Sequence, residues 1–226
     1  MKEGSTQIPF LGDALWFPAV SNASSDGLVA IGGDLSVERL LLAYSSGIFP
    51  WFNEDTMILW WSPDPRMVLF PEKLRISKSM RRLLKNPPFR ITKNTCFAEV
   101  IDACAKASRP SQEGTWITSD MKDAYLALHE KGIAVSYEVW KGEDLVGGLY
   151  GVDLKGIFCG ESMFSQESNA SKFAFIKMVE ELQAKRYGLI DCQMHTKHLE
   201  SLGAELIPRD EFIQILQTQI QGSKKE

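Results

Sequence analysis

Residues 134–164 read AVSYEVW, KGED, LVGGLYGVD, LKG and IFCGESMF. These are three runs rich in β-branched and aromatic residues, joined by two short connections that carry glycine. Connections of that length cannot carry a crossover, so the stretch predicts an antiparallel meander. Its flanks set the fold class. Ahead of it, the spacing predicts helices over 79–84, 97–107 and 119–131, the last capped by Ser119 or Asp120 and stopped by Gly132. After it comes a long helix, SKFAFIKMVEELQAKR, with Asn169 or Ser171 as cap and Gly188 near its end. A short apolar strand follows, LIDCQ (189–193), and then two helical segments separated by Gly203 and Pro208. Helices, then an antiparallel run, then helix–strand–helix is an α+β order. Gly147, Gly148, Gly151 and Gly156 fall inside the hairpin pattern, where backbone crowding or a bulge explains them better than a phosphate loop would.

The first third of the chain is organised differently. Asp34 or Ser36 can cap a helix whose apolar face is Leu40, Leu41, Ala43 and Tyr44, with Gly47 as its stop. The aromatic-rich WFNEDTMILWWSPDPR reads as a strand or two with turns, broken at Pro63 and Pro65. The division expected there gives a small N-terminal α/β domain over 1–64 and a larger domain over 65–226.

At 226 residues, with 44% hydrophobic and 24% charged, the chain can build a substantial core. No apolar run reaches the roughly 20 residues of a spanning helix, and the polar, proline-broken start is unlike a secretory signal. The expectation is a cytoplasmic monomer with no membrane partner and a disordered QGSKKE tail. Cys96, Cys104, Cys159 and Cys192 are widely spaced with no CxxC pair, the pattern of reduced buried thiols, and no metal site is expected. The net charge is −4, yet residues 73–93 carry eight of the 25 basic residues and no acid, which leaves 17 basic against 29 acidic residues elsewhere. A positive segment on an acidic body is either a solvated helix face or a phosphate-binding surface.

Several side chains invite chemistry. Glu161 lies inside an apolar, small-residue strand, where an unpartnered carboxylate is costly, so a cation must come from this chain or from a substrate. Asp191 and Gln193 end a strand before a helix, a usual place for site residues, although Asp191 could equally cap that helix. His195 and His198, three apart, have no third ligand in view and read as surface or core residues. Three of the six tryptophans, Trp51, Trp60 and Trp61, cluster either as core or as a pocket wall. No Ser–His–Asp or Cys–His set is evident.

Taken in order, GLVAIGGDLS, GIFPWFNEDTMILWWSPDPR, EGTWIT, YGV, FCGESMFS, NASK and IDCQ resemble the bacterial leucyl/phenylalanyl-tRNA–protein transferase family, from about Gly27 to Pro208. The resemblance implies an aminoacyltransferase that moves Leu or Phe, and Met less well, from aminoacyl-tRNA to the α-amino group of proteins starting with Arg or Lys, marking them for N-degron proteolysis. It implies a C-terminal domain of the acyl-CoA N-acyltransferase (GNAT-like) type and no cofactor. The absence of a Q/RxxGxG/A signature suits a donor other than CoA; a CoA-dependent N-acyltransferase and a non-catalytic tRNA-binding protein are the rival classes. The resemblance assigns Glu161, Asp191 and Gln193 to catalysis. Gln193 would orient the amine through its oxygen, since a neutral amide is a poor base, while Asp191 would hold Gln193 or stabilise the developing ammonium. Glu161 would meet the acceptor's cation. Met163 and Phe164, with Leu149 and Phe158 beside them, would form the slot for the donor side chain. Trp51, Trp116 and Tyr125 would stack the terminal adenosine of the tRNA. Arg81 and Arg82, with Lys78 and Lys85, would meet tRNA phosphates. Met178, where the family often has Phe, is left outside the site.

Overall fold

The computed structural model describes residues 7–107 and 116–223. In chain order its elements are strands β1 (Phe10–Leu11) and β2 (Leu28–Gly32), helix α1 (Val37–Ser45), and strands β3 (Phe49–Pro50), β4 (Leu59–Trp61) and β5 (Arg66–Leu69). Helix α2 (Lys78–Lys85), strand β6 (Arg90–Lys93), and helices α3 (Phe97–Lys106) and α4 (Ser119–Glu130) follow. The meander is β7 (Ala134–Lys141), β8 (Asp144–Asp153) and β9 (Ile157–Ser165). The chain closes with α5 (Ala170–Ala184), β10 (Leu189–Gln193), α6 (Lys197–Ser201), β11 (Glu205–Ile207) and α7 (Arg209–Ser223).

The strands form two sheets, a small one in the order β1-β2-β4-β3 and a large one in the order β11-β5-β10-β9-β8-β7-β6. The meander lies in the large sheet as expected, with antiparallel pairing from β6 through β9. The next pair is different. Helix α5 carries the chain back so that β10 runs parallel to β9, with Leu189 opposite Ile157 and Asp191 opposite Cys159. On its other side β10 is antiparallel to β5. Alternation along these strands splits the core. Met67, Leu69, Phe158 and Ile190 face α5, whereas Val68, Cys159 and Leu189 face the opposite side, where Phe212 of α7, Tyr44 of α1 and the small sheet's Trp60 pack.

Two bulges interrupt this alternation. Tyr150 pairs with Ser162 but Gly151 with Gly160, so Glu161 is an extra residue in β9. Asp191 pairs with Val68 and Gln193 with Met67, so Cys192 is extra in β10. Gly151 marks the first bulge: a Cβ there would lie 2.2 Å from the Cys159 carbonyl oxygen. Crowding, the reading given to these glycines, is therefore literal.

Several local expectations need correcting. Helix α4 is capped by Thr118, whose hydroxyl accepts from the Met121 N–H, rather than by Ser119 or Asp120. Asn169 precedes α5 in the left-handed region and makes no side-chain cap; the Ser165 hydroxyl accepts from the Ser171 N–H instead. Asp191 caps no helix, because α6 begins at Lys197 under a Thr196 cap. The two closing helices are separated by β11, an edge strand of three residues that is too short to declare a period. Residues 221–223 of the expected disordered tail belong to α7. The rest of that tail, and Glu113–Thr115 of the EGTWIT motif, lie outside the described residues. No helix among the described residues is long and apolar enough to cross a membrane.

Candidate active site

The parallel pairing of β9 and β10 ends at Cys159 and Asp191, and the two strands diverge beyond it. Each strand carries its bulge at that point, which turns the next polar side chain toward its neighbour. Gln193 Nε2 donates to Glu161 Oε1 at 2.9 Å across the gap. The amide's orientation follows from chemistry, since an ionised carboxylate only accepts and the NH2 end must face it. Gln193 holds this position with φ of 56°, a left-handed conformation that non-glycine residues seldom adopt.

A cavity of about 920 Å3 opens over this pair. Glu161, Gln193, Leu149, Phe158, Met163 and Phe164 line it, and so do Trp51 and Trp116. Sequence reasoning missed part of the wall. Phe175 and Met178 contribute to it from α5, with Ile190 and Cys192 from β10. Ser171, Phe175 and Met178 fall at i, i+4 and i+7, one stripe of a helix, and that spacing was the available signal. Met178, left outside the site, therefore belongs to the wall.

Two assigned residues stand elsewhere. Tyr125 is wholly enclosed, its ring edge-on to Tyr150. It has no free face for a base, and its hydroxyl donates to Glu161 Oε2 at 2.9 Å. Asp191 is 1% exposed and does not line the cavity. It forms a bidentate pair with Arg66, Nε to Oδ1 at 2.8 Å and Nη2 to Oδ2 at 2.7 Å, and its Oδ1 also accepts from the Gln193 N–H at 3.0 Å. Its contact with the site thus runs through the backbone of Gln193.

The two carboxylates consequently differ in their partners. Arg66 pairs with Asp191. Among the described residues Glu161 accepts from the neutral donors Tyr125 and Gln193, and the Tyr44 hydroxyl donates in turn to that of Tyr125. Burial raises the Glu161 carboxyl from 4.5 to about 7, the nearby Asp191 charge adds to the rise, and the hydrogen bonds to the anion hold it back. Burial likewise pushes the Cys192 thiol far up, so it is no nucleophile at neutral pH. His198 lies at the cavity wall with its pKa lowered by burial, while His195 is exposed and faces Glu200 at 3.2 Å. Among the described residues no group of three or more His, Cys, Asp or Glu could hold a metal ion.

On α2, capped by Ser77, Met80 points into the core and Lys78, Arg81, Arg82 and Lys85 are exposed. Their spacing of i, i+3, i+4 and i+7 puts all four on one face, and none makes an ion pair among the described residues. Lys73 and Lys93 of the same run are instead spent on Glu205 and Glu181.

An apolar cavity closed by a carboxylate–amide pair, with its one cysteine unreactive, suits an enzyme that aligns two substrates rather than one that forms a covalent intermediate. Comparison with known proteins specifies the class as aminoacyltransferase. The model of the leucyl/phenylalanyl-tRNA protein transferase family matches residues 68–217, and that of the family's N-terminal domain matches 33–64. Leucyl/phenylalanyl-tRNA–protein transferases of Christiangramia forsetii and Flavobacterium johnsoniae are 59% and 57% identical, over 88% and 92% of this chain and 95% and 99% of theirs. That of Chromobacterium violaceum is 52% identical over 94% of this chain and 92% of its own. The chain belongs to the leucyl/phenylalanyl-tRNA–protein transferase family.

Proposed function

We propose that this enzyme takes Leu or Phe, and Met less well, from aminoacyl-tRNA and joins it to the α-amino group of proteins that begin with Arg or Lys, so marking them for N-degron proteolysis. The observation that carries the acceptor choice is the Glu161–Gln193 bridge at the cavity wall. Among the described residues Glu161 has only neutral partners, so the cation that would balance its charge is one the acceptor brings.

The donor ester is already activated, and an α-amine with a pKa of about 8 is partly neutral in the cell, so positioning is the main requirement. The donor side chain enters the slot of Met163, Phe164, Leu149 and Phe158, with Phe175 and Met178 opposite. Unbranched methionines adapt to both Leu and Phe. Gln193, its NH2 committed to Glu161, offers its carbonyl oxygen to the amine. Trp51 and Trp116 receive the terminal adenosine, and Tyr125 supports Glu161 from behind. The cationic face of α2 meets acceptor-stem phosphates, contacts that carry no sequence information and fit the use of several tRNAs.

The division at residue 64 is supported by the small sheet ending at Trp61 and the large one starting at Arg66. A GNAT-like layout for 65–226 is supported by the parallel pair that diverges at the site. The enzyme acts as a cytoplasmic monomer in this reading. The test is transfer of labelled Leu from Leu-tRNA to peptides starting with Arg, Lys, Met or Glu. Product only with the first two is expected; equal transfer to all four, or transfer from acetyl-CoA without tRNA, refutes the reading.

A further inference from the structure

We propose that Arg66 is a positioning residue for transfer: it fixes Asp191, and through Asp191 the strained backbone that presents Gln193 to the cavity. The inference rests on the roles given above to Asp191 and Gln193.

Arg66 is buried at the start of β5, 125 residues before its partner. The guanidinium gives both of its hydrogen bonds to Asp191 as a bidentate fork, and its Cζ lies over the Phe49 ring, 4.8 Å from the centroid, and over the Phe212 ring at 4.6 Å. The carboxylate is thereby fixed in position and in rotation. Its Oδ1 takes the Gln193 N–H at the bulge, the one hydrogen bond by which the residue in the left-handed conformation is tied to β10's own side chains. Gln193 then reaches Glu161. Four side chains form one line from core to cavity, and Arg66 is its anchor.

Stability alone does not account for the arrangement. A buried ion pair is often no more stabilising than apolar side chains of the same volume. Here Arg66 Nη1 is also buried without a hydrogen-bond partner, which costs further. Lysine could supply the charge, but as a point donor it could not hold both carboxylate oxygens in one fork or present a planar cation to the two rings.

The test uses the full-length enzyme under single-turnover conditions with excess enzyme, so that the rate reports the folded fraction's chemistry. Arg66→Lys is expected to lower the rate of Leu transfer at least about tenfold, with the KM for Leu-tRNA within about twofold of wild type. Arg66→Gln should lower the rate similarly alone, yet change it less than about twofold when added to Asp191→Asn, because both act on Gln193 through one link. The double variant buries no net charge, so it reports even where Arg66→Gln does not fold. A rate within twofold of wild type for Arg66→Lys, whatever its melting temperature, overturns the proposal, as does additivity of the two changes. Loss of rate in Asp191→Asn and Gln193→Ala without loss in Arg66→Lys overturns Arg66's role alone; no loss in any of them overturns the reading of the site beneath it.

Discussion

Replacing Glu161 with Gln keeps the side chain's shape and removes its charge. In the wild type, burial raises this carboxyl from 4.5 to about 7. The folded protein therefore holds the proton more tightly than the unfolded chain does. The group's stabilising contribution is complete below the unfolded value and is lost as pH rises through the folded one. From about pH 5 to about pH 8 the wild type should lose about 2–3 kcal/mol of unfolding free energy from this residue. That is an upper figure, because the carboxylate faces a cavity that admits water. Glu161→Gln does not titrate and should show no such loss. The variant also carries a fixed penalty of about 1–3 kcal/mol, since its NH2 end must face a donor, either Tyr125 or Gln193; that penalty is independent of pH. The measurement is urea unfolding of both proteins at several pH values, and the quantity of interest is the change in their difference. A gain for the variant of about 2 kcal/mol between the two ends is expected. Parallel curves would refute the claim that Glu161 is a buried carboxylate without a cation.

The same reasoning fixes the other expectations. Tyr125→Phe removes a donor to the Glu161 anion and should move the pH midpoint of transfer to Arg-starting peptides upward, by about one pH unit or more, in a pH–rate profile. Arg81→Ala with Arg82→Ala should weaken tRNA binding and reduce the slope of log K against log salt by about 1 per arginine, with single-turnover transfer nearly unchanged at saturation. Asp191→Asn should do the opposite, lowering turnover about 10²-fold while tRNA affinity in a filter-binding assay holds. Gly151→Ala forces a Cβ against the Cys159 carbonyl and should cost about 2 kcal/mol or more in urea unfolding, because that backbone cannot retreat without disturbing the Glu161 bulge.

Much of this architecture was legible in order and type. The meander, α5 and β10 follow from period, turn residues and helix stops, and Met163, Phe164, Leu149 and Phe158 fell on the cavity from the motif around Glu161. What escaped did so for identifiable physical reasons. A period of two assigns faces only until a bulge, and Glu161 and Gln193 each stand at or beside one. The stacking role of Tyr125 rested on the resemblance alone, and helix spacing, which tells which side of α4 is apolar but not what lies beneath it, gives no check on it; its ring is in the core and only its hydroxyl reaches Glu161. Arg66 was hidden by distance along the chain, since nothing in SPDPRM indicates that its partner is a strand 125 residues later.

That pairing resolves the question posed by two carboxylates so close together. Were Asp191 and Glu161 both unpaired, their repulsion would favour protonating one of them, and the site would lose the anion an acceptor cation requires. Arg66 lessens that competition by pairing with Asp191 at a point shielded from the cavity, so that the Asp191 charge adds only a part of the rise that burial imposes on Glu161. Glu161 is left as the carboxylate at the cavity wall, and its donors are the Tyr125 hydroxyl, backed by Tyr44, and the Gln193 amide, which favour the anion without cancelling its charge. With its pKa raised toward neutrality the group is ready to exchange a proton for a cation, so an arriving ammonium or guanidinium would draw off the proton and secure its counter-ion. In the proposed reaction the same donor, Gln193, that steadies the anion would turn its oxygen toward the amine. Charge recognition and amine orientation are therefore two ends of one side chain, and a change at either end must be felt at the other.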